Sequence, residues 1–204
     1  MTDLCSIQHC LGMRICYNLN NQVISIDQEK YLLEKFSMHN CKPVATPLIP
    51  NSTVNKEEPD ISLDQHDVTK FQELIGGLMY LVTCTRPDIA AAVGQLARVM
   101  SQPSKLHWSA AKHILRYLKG TKGLSLTYGN ARDEERENLI GFSDANFGGD
   151  SATARSTTGY AFILNGAAVS WKSKLQQVNK NILYEKVIGH IGLTMVVQKA
   201  WKQE

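Results

Sequence analysis

A chain of 204 residues, 43% hydrophobic and 20% charged, can build one large domain or two small ones with real cores, which excludes a disordered tail. Its net charge of +3 permits a phosphate-rich partner without demanding one, and five cysteines (Cys5, Cys10, Cys16, Cys41, Cys84) with no C-x-x-C spacing argue against a disulfide framework and a zinc site. No apolar run approaches about eighteen residues, and Gln8, His9 and Arg14 interrupt the N-terminal stretch, so the expectation is a soluble intracellular chain with no membrane span, cytoplasmic or nuclear, in a reducing compartment.

In chain order, Leu11 to Tyr17 and then Val23, Ile24 and Ile26 read as two strands about an Asn20-Asn21 turn able to reach positive φ. After Asp27, placed as an N-cap, Tyr31, Leu32, Leu33 and Phe36 gather on one helical face. Pro43, Pro47, Pro50 and Pro59 then punctuate a stretch with no apolar period, which reads as a linker and a domain boundary.

Between Val68 and Thr121 the pattern is helical three times. The first helix is apolar nearly all round, with Gly76-Gly77 admitting a close neighbour; the second starts on Pro87 and Asp88; the third ends on Gly120 as a C′ residue. "GLSLTYG" and "LIGFSDA" read as strands flanking the charged loop "NARDEEREN", and "STTGYAFILNGAAVSWKSK" as two more around an Asn165-Gly166 turn. The last thirty residues are ambiguous between strand and helix.

Five stretches carry a resemblance: "LGMRI…QEKYLLEKFSM…CKPVATPL", "TRPDI", "HWSAAKHILRYLKGT", "SDANFGGD" and "RSTTGYAFILNGAAVSWKSK". Together they resemble the Pol polyprotein of copia-type retrotransposons, from the end of reverse transcriptase into RNase H, over roughly residues 1 to 175. The resemblance implies an α+β chain. Residues 1–40 would be a palm-end and thumb remnant, a thumb-like hairpin and helix; 41–66 a linker; 67–122 a helical connection; and 123–204 a truncated RNase H-like domain with a mixed sheet.

A polymerase of this kind needs two adjacent aspartates to hold two magnesium ions, and the chain has no Asp-Asp pair; in the family that motif would precede Met1. RNase H chemistry uses several carboxylates to hold two cations about 4 Å apart. Asp144 in "FSDA" matches the family's first catalytic aspartate, a relict metal ligand. The second carboxylate should follow "SWKSKLQ": counting from Gln176 puts Glu185 at the first glutamate of the family motif and Val187 at the metal-binding second, while counting from Gln177 puts Ile188 there. The third aspartate would lie past Glu204. One carboxylate does not assemble a two-ion centre, so the expectation is a chain that is not an enzyme and has no cofactor beyond the ancestral Mg²⁺. Asp150 reads as a solvated loop residue, and His107 and His113 as packing or surface residues.

Lys105, Lys112, Arg116 and Lys119 fall on one side of the third helix, with Lys122 just beyond, a stripe that suits either solvent or phosphates of an RNA/DNA hybrid held weakly. Trp108 and Tyr117 read as core or groove-lining residues. A second resemblance lies in "RYLK" at 116–119 followed by "DEER" at 133–136, similar to the RxLR-dEER pair of oomycete secreted effectors. Through Arg116, Lys119, Asp133, Glu134, Glu135 and Arg136 it implies secretion into a host cell, where the chain would suppress plant cell death or defence by binding host proteins.

Overall fold

The computed structural model describes residues 7–36, 41–48, 62–129, 138–146, 155–176 and 195–196. The chain divides into two compact units, Met1–Thr127 and Tyr128–Glu204. It is mixed α+β, with helices and two largely antiparallel sheets. No described helix is long and apolar enough to cross a membrane.

The first unit opens on a sheet ordered β1-β2-β3-β4, with β1 at His9–Cys10, β2 at Met13–Asn18, β3 at Val23–Asp27 and β4 at Leu126–Tyr128. Leu11, expected in a strand, is instead a turn residue: Leu11 (φ 49°) and Gly12 (φ 71°) form the left-handed two-residue loop that matches strand twist. At the next turn Asn18 Oδ1 accepts from the amides of Asn20 (3.1 Å) and Asn21 (3.3 Å), and the positive φ falls on Gln22 rather than on either asparagine. Asp27 caps the following helix α1 (Glu29–Phe36) by accepting from the Glu29 amide at 3.1 Å, and Arg14 Nε donates to its other oxygen at 3.0 Å. Leu32 enters the core with Tyr31 and Phe36 packed around it; the Leu33 side chain lies outside the described residues.

Three further helices complete this unit: α2 (Gln65–Cys84), α3 (Ala90–Ala97) and α4 (Lys105–Gly120). α2 starts before Val68 because the Asp64 carboxylate accepts from the Asp67 amide at 2.8 Å, satisfying an otherwise orphaned donor. Pro87 and Asp88 open a 3-10 turn, Pro87–Ile89, that leads into α3. Phe71, Ile75, Leu78, Leu81, Ile89, Leu96, Ile114 and Leu118 are buried in one core at helical spacing.

The second unit holds a mixed sheet ordered β7-β6-β5-β8, with β5 at Ile140–Asn146, β6 at Thr157–Leu164, β7 at Ala167–Leu175 and β8 at Met195–Val196. The expected Asn165-Gly166 turn joins β6 to β7, with φ of 51° and 90°. β8 runs parallel to β5, a pairing that a tight turn cannot make. Gly141 faces Phe162 across the ladder, and a Cβ there would lie 2.9 Å from the ring, so the glycine leaves room for the aromatic to lie over β5.

Candidate nucleic-acid interface

α4 begins at a reciprocal cap: Ser104 Oγ accepts from the His107 amide and His107 Nδ1 accepts from the Ser104 amide at 3.0 Å. Ala111, Ile114, Tyr117 and Leu118 turn into the core, which leaves the four cations of the stripe on other faces. Lys105 and Lys112 are exposed, and the Lys112 ammonium sits 5.5 Å from the Trp108 ring centroid. Arg116 and Lys119 are turned elsewhere: Arg116 Nε donates to Lys42 O and Lys119 Nζ to Cys41 O, both at 2.7 Å. His113 Nε2 lies 2.9 Å from Thr46 O, a carbonyl that only accepts, so this nitrogen donates.

Residues 41–48, expected to be linker, are therefore laid along α4 as an extended strap. The Val44 amide returns a bond to Arg116 O at 3.4 Å. The strap also explains Gly120, which is the last helical residue rather than a left-handed C′ residue. A Cβ there would stand 3.2 Å from Pro43 Cβ and 3.4 Å from Val44 O, so its absence lets the strap pass. Thr121 instead caps the helix, its amide bonding Tyr117 O and Leu118 O.

Beneath this face lies a polar network unforeseen in the sequence, although "TRPDI" and "RYLKGT" contain all of it. Arg86 is buried, with Nε and Nη2 donating to the two Asp88 oxygens at 2.9 and 2.7 Å. Its remaining donors reach Thr121 O at 3.1 Å and Thr121 Oγ1 at 2.6 Å, and Tyr117 donates its hydroxyl to Asp88 at 2.8 Å. Burial alone would raise the Asp88 pKa, but the Arg86 guanidinium and the Tyr117 hydroxyl hold it below its ordinary value. Burial, then the bond to Asp88, push the Tyr117 phenol up. Thus the turn before α3 is tied to the end of α4.

In the second unit, Asp144 stands exposed on β5 opposite Gly159, with Oδ1 accepting from the Ala145 amide at 2.8 Å. Glu185, Asp150, and Asp133, Glu134, Glu135 and Arg136 lie outside the described residues. Among the described residues, one group of three side chains is spaced to share an ion, Asp64, His66 and Asp67 in the first unit, and Asp144 is not in it. Mg²⁺ prefers several oxygen donors in near-octahedral array, and Asp144 could supply one of them.

No family model matches the chain. Nor does any solved structure match it. It is similar to the retrovirus-related Pol polyprotein from transposon TNT 1-94 of Nicotiana tabacum, 42% identical over 183 residues covering 87% of this chain and 14% of the polyprotein. An uncharacterized mitochondrial protein of Arabidopsis thaliana is 33% identical over 184 residues, 86% of this chain and 70% of that protein. Secreted RxLR effector protein 161 of Plasmopara viticola is 48% identical over 103 residues, 50% of this chain and 70% of the effector. Transposon polyproteins of Arabidopsis thaliana match at 37% and 36% identity over 76% of this chain, and span ten times the share they match. With several such polyproteins matching over most of its length, the chain belongs to the Pol polyprotein family of copia-type retrotransposons.

Proposed function

We propose that this chain is a Pol-derived fragment of the reverse transcriptase to RNase H region that performs neither polymerisation nor strand cleavage and retains weak affinity for RNA/DNA. One observation carries the reading: Asp144 lies exposed within β5, with no further carboxylate grouped around it among the described residues. Two hard cations beside a phosphodiester need several anionic oxygens to replace their hydration, and a single carboxylate does not supply them. The adjacent aspartate pair a polymerase requires is absent from the sequence. The RNase H-like reading of the second unit is supported by its mixed sheet, an antiparallel meander with a parallel strand beside β5. Thumb-like is our reading of the β2–β3 hairpin and α1.

The test is Mg²⁺-dependent cleavage of an RNA–DNA hybrid by the purified chain, with Asp144→Asn alongside. No cleavage by either protein is expected; turnover that vanishes in Asp144→Asn would overturn the inactive reading. A second reading, that the chain is an effector acting by binding host components, is favoured by its similarity to the secreted effector of Plasmopara viticola. Against it, Arg116 and Lys119 of the RxLR-like segment are engaged by the strap within a helix. Expression in plant tissue, with Asp133, Glu134, Glu135 and Arg136 replaced by alanine, tests that reading; an unchanged death response rejects it.

A further inference from the structure

Lysines from three different helices meet in one cleft of the first unit. Lys35 of α1, Lys70 of α2 and Lys112 of α4 line a space of about 810 Å³, with Glu73 the carboxylate in its wall. Among the described residues no ion pair joins any of these lysines to a carboxylate, so the cleft carries a net positive field. Between the lysines stand three aromatic rings, Tyr31, Phe36 and Trp108. Tyr31 and Phe36 meet edge-to-face at 6.3 Å, and Trp108 is backed by Phe71 at 6.1 Å. The rings are thus held from behind by the core.

The two glycines of α2 shape this space in opposite ways. At Gly77 a Cβ would lie 3.0 Å from Phe36 Cζ and 3.3 Å from Lys35 Cε, so the missing side chain brings α1 close and carries the Lys35 stem across α2. At Gly76 a Cβ would meet nothing within 4 Å, so the wall is open there. Glycine in a helix interior is less favourable than alanine. Gly77 has a packing reason for accepting that cost, and Gly76 has only the open cleft.

We propose that this cleft binds single-stranded nucleic acid, with phosphates on Lys35, Lys70 and Lys112 and a base against the Trp108 side. The inference rests on the reading that the chain has affinity for nucleic acid, and it gives that affinity a place and a strand preference. Three cations suit the spaced charges of a phosphate backbone, and aromatic walls suit the flat face of any base. A duplex keeps its base faces stacked inside and offers this cleft only phosphates. The volume falls within the range of pockets that hold small organic ligands, enough for a nucleotide unit and too little for a helix. Of the four cations on α4, only Lys112 takes part, because Arg116 and Lys119 hold the strap.

Fluorescence anisotropy with a labelled oligothymidylate of about twenty nucleotides, beside an RNA–DNA hybrid duplex of equal length, tests this in the full chain. The single strand should bind more tightly than the duplex, with log affinity falling against log salt at about −0.7 per phosphate contact, so a slope near −2 for three lysines. Lys70→Gln/Lys112→Gln should reduce that slope to about −0.7, whereas Lys30→Gln, an exposed charge change on α1 outside the cleft, should leave it unchanged. Gly76→Leu, which fills the open wall without meeting a neighbour at its Cβ, should abolish binding while circular dichroism shows the helices intact. Wild-type binding by Gly76→Leu, or a wild-type slope in the double lysine variant, overturns the cleft. If the hybrid binds and neither variant weakens it, the cleft is wrong while the affinity reading stands; if neither nucleic acid binds, both fall.

Discussion

The two compact units bury their apolar residues in different ways. In the helical unit, Phe71, Ile75, Leu78, Leu81, Ile89 and Leu118 are wholly withdrawn from water, and each meets others on different helices. In the sheet unit, the described apolar side chains that are buried are Ala167 and Ala168, while Phe142 and Val169 remain 44% exposed. A closed core makes every member depend on the rest, because a deleted group leaves a cavity that neighbours only partly fill. A sheet whose described faces are half open depends instead on its ladder and cross-strand pairs, each contributing a few tenths of a kcal/mol to about 1 kcal/mol. The helical unit should therefore respond all at once and the sheet unit locally.

The largest expected effect is at Arg86. Replacing it with alanine strands the Asp88 carboxylate and removes both bonds to Thr121, which should cost about 3–5 kcal/mol of stability in urea unfolding. Hydrogen exchange should show α2 to α4 losing protection while β5 to β7 keep theirs. Equal loss in both units would mean that they unfold together, and the contrast would break. Next, Leu78→Ala should cost about 2–5 kcal/mol, whereas Phe142→Ala should cost well under that, since nearly half its surface is already wet. Comparable losses at the two positions would show that the sheet closes a core as tight as the helical one.

pH sharpens the comparison, because the resolved shifts of Asp88 and Tyr117 both belong to the Arg86 network. The Asp88 carboxyl is held below its unfolded value of about 3.9, so its contribution is present above that pH and is lost as pH falls through the folded value. The Tyr117 phenol is raised above about 10, so its contribution is present below that pH and is lost as pH rises through the folded value. The helical unit should thus weaken at both extremes, and urea midpoints for Asp88→Asn should show a flatter acid limb. An unchanged acid limb would remove Asp88 from the account. The smallest effect is expected at Gly120: alanine there favours the helix but crowds Pro43, so global stability should barely move while the Val44 amide exchanges faster.

What the sequence made legible was local. The Asn165-Gly166 turn, the capping at Asp27, the helical character of α2 and the strand that carries Asp144 all follow from residues within a few positions of one another. Leu11 reads as a strand residue by its apolar character, yet the glycine beside it marks the turn. The cationic stripe shows the limit of periodicity. Spacing places Arg116 and Lys119 on α4, but the carbonyls that engage them lie 74 and 78 residues earlier, and no local pattern announces such a pairing. Gly120 reads as a helix-ending C′ glycine for the same reason, since a close passage by Pro43 leaves the same local signature. Lys35 and Lys70 carry no local signature of the cleft either, because they reach it from helices other than that of Lys112.

The strap makes α4 a shared anchor for stretches far apart in the chain. It is moored by Lys119, Arg116 and His113 at 41–48, and the chain is moored again where Ser62 bridges Ser104 and the Leu63 amide bonds Pro103 O. Both moorings end on α4 or on the residues just before it, so one helix holds two stretches of the same compact unit. A change that melts α4 should therefore release 41–48 and 62–63 together, which amide exchange at Val44 and Leu63 would read.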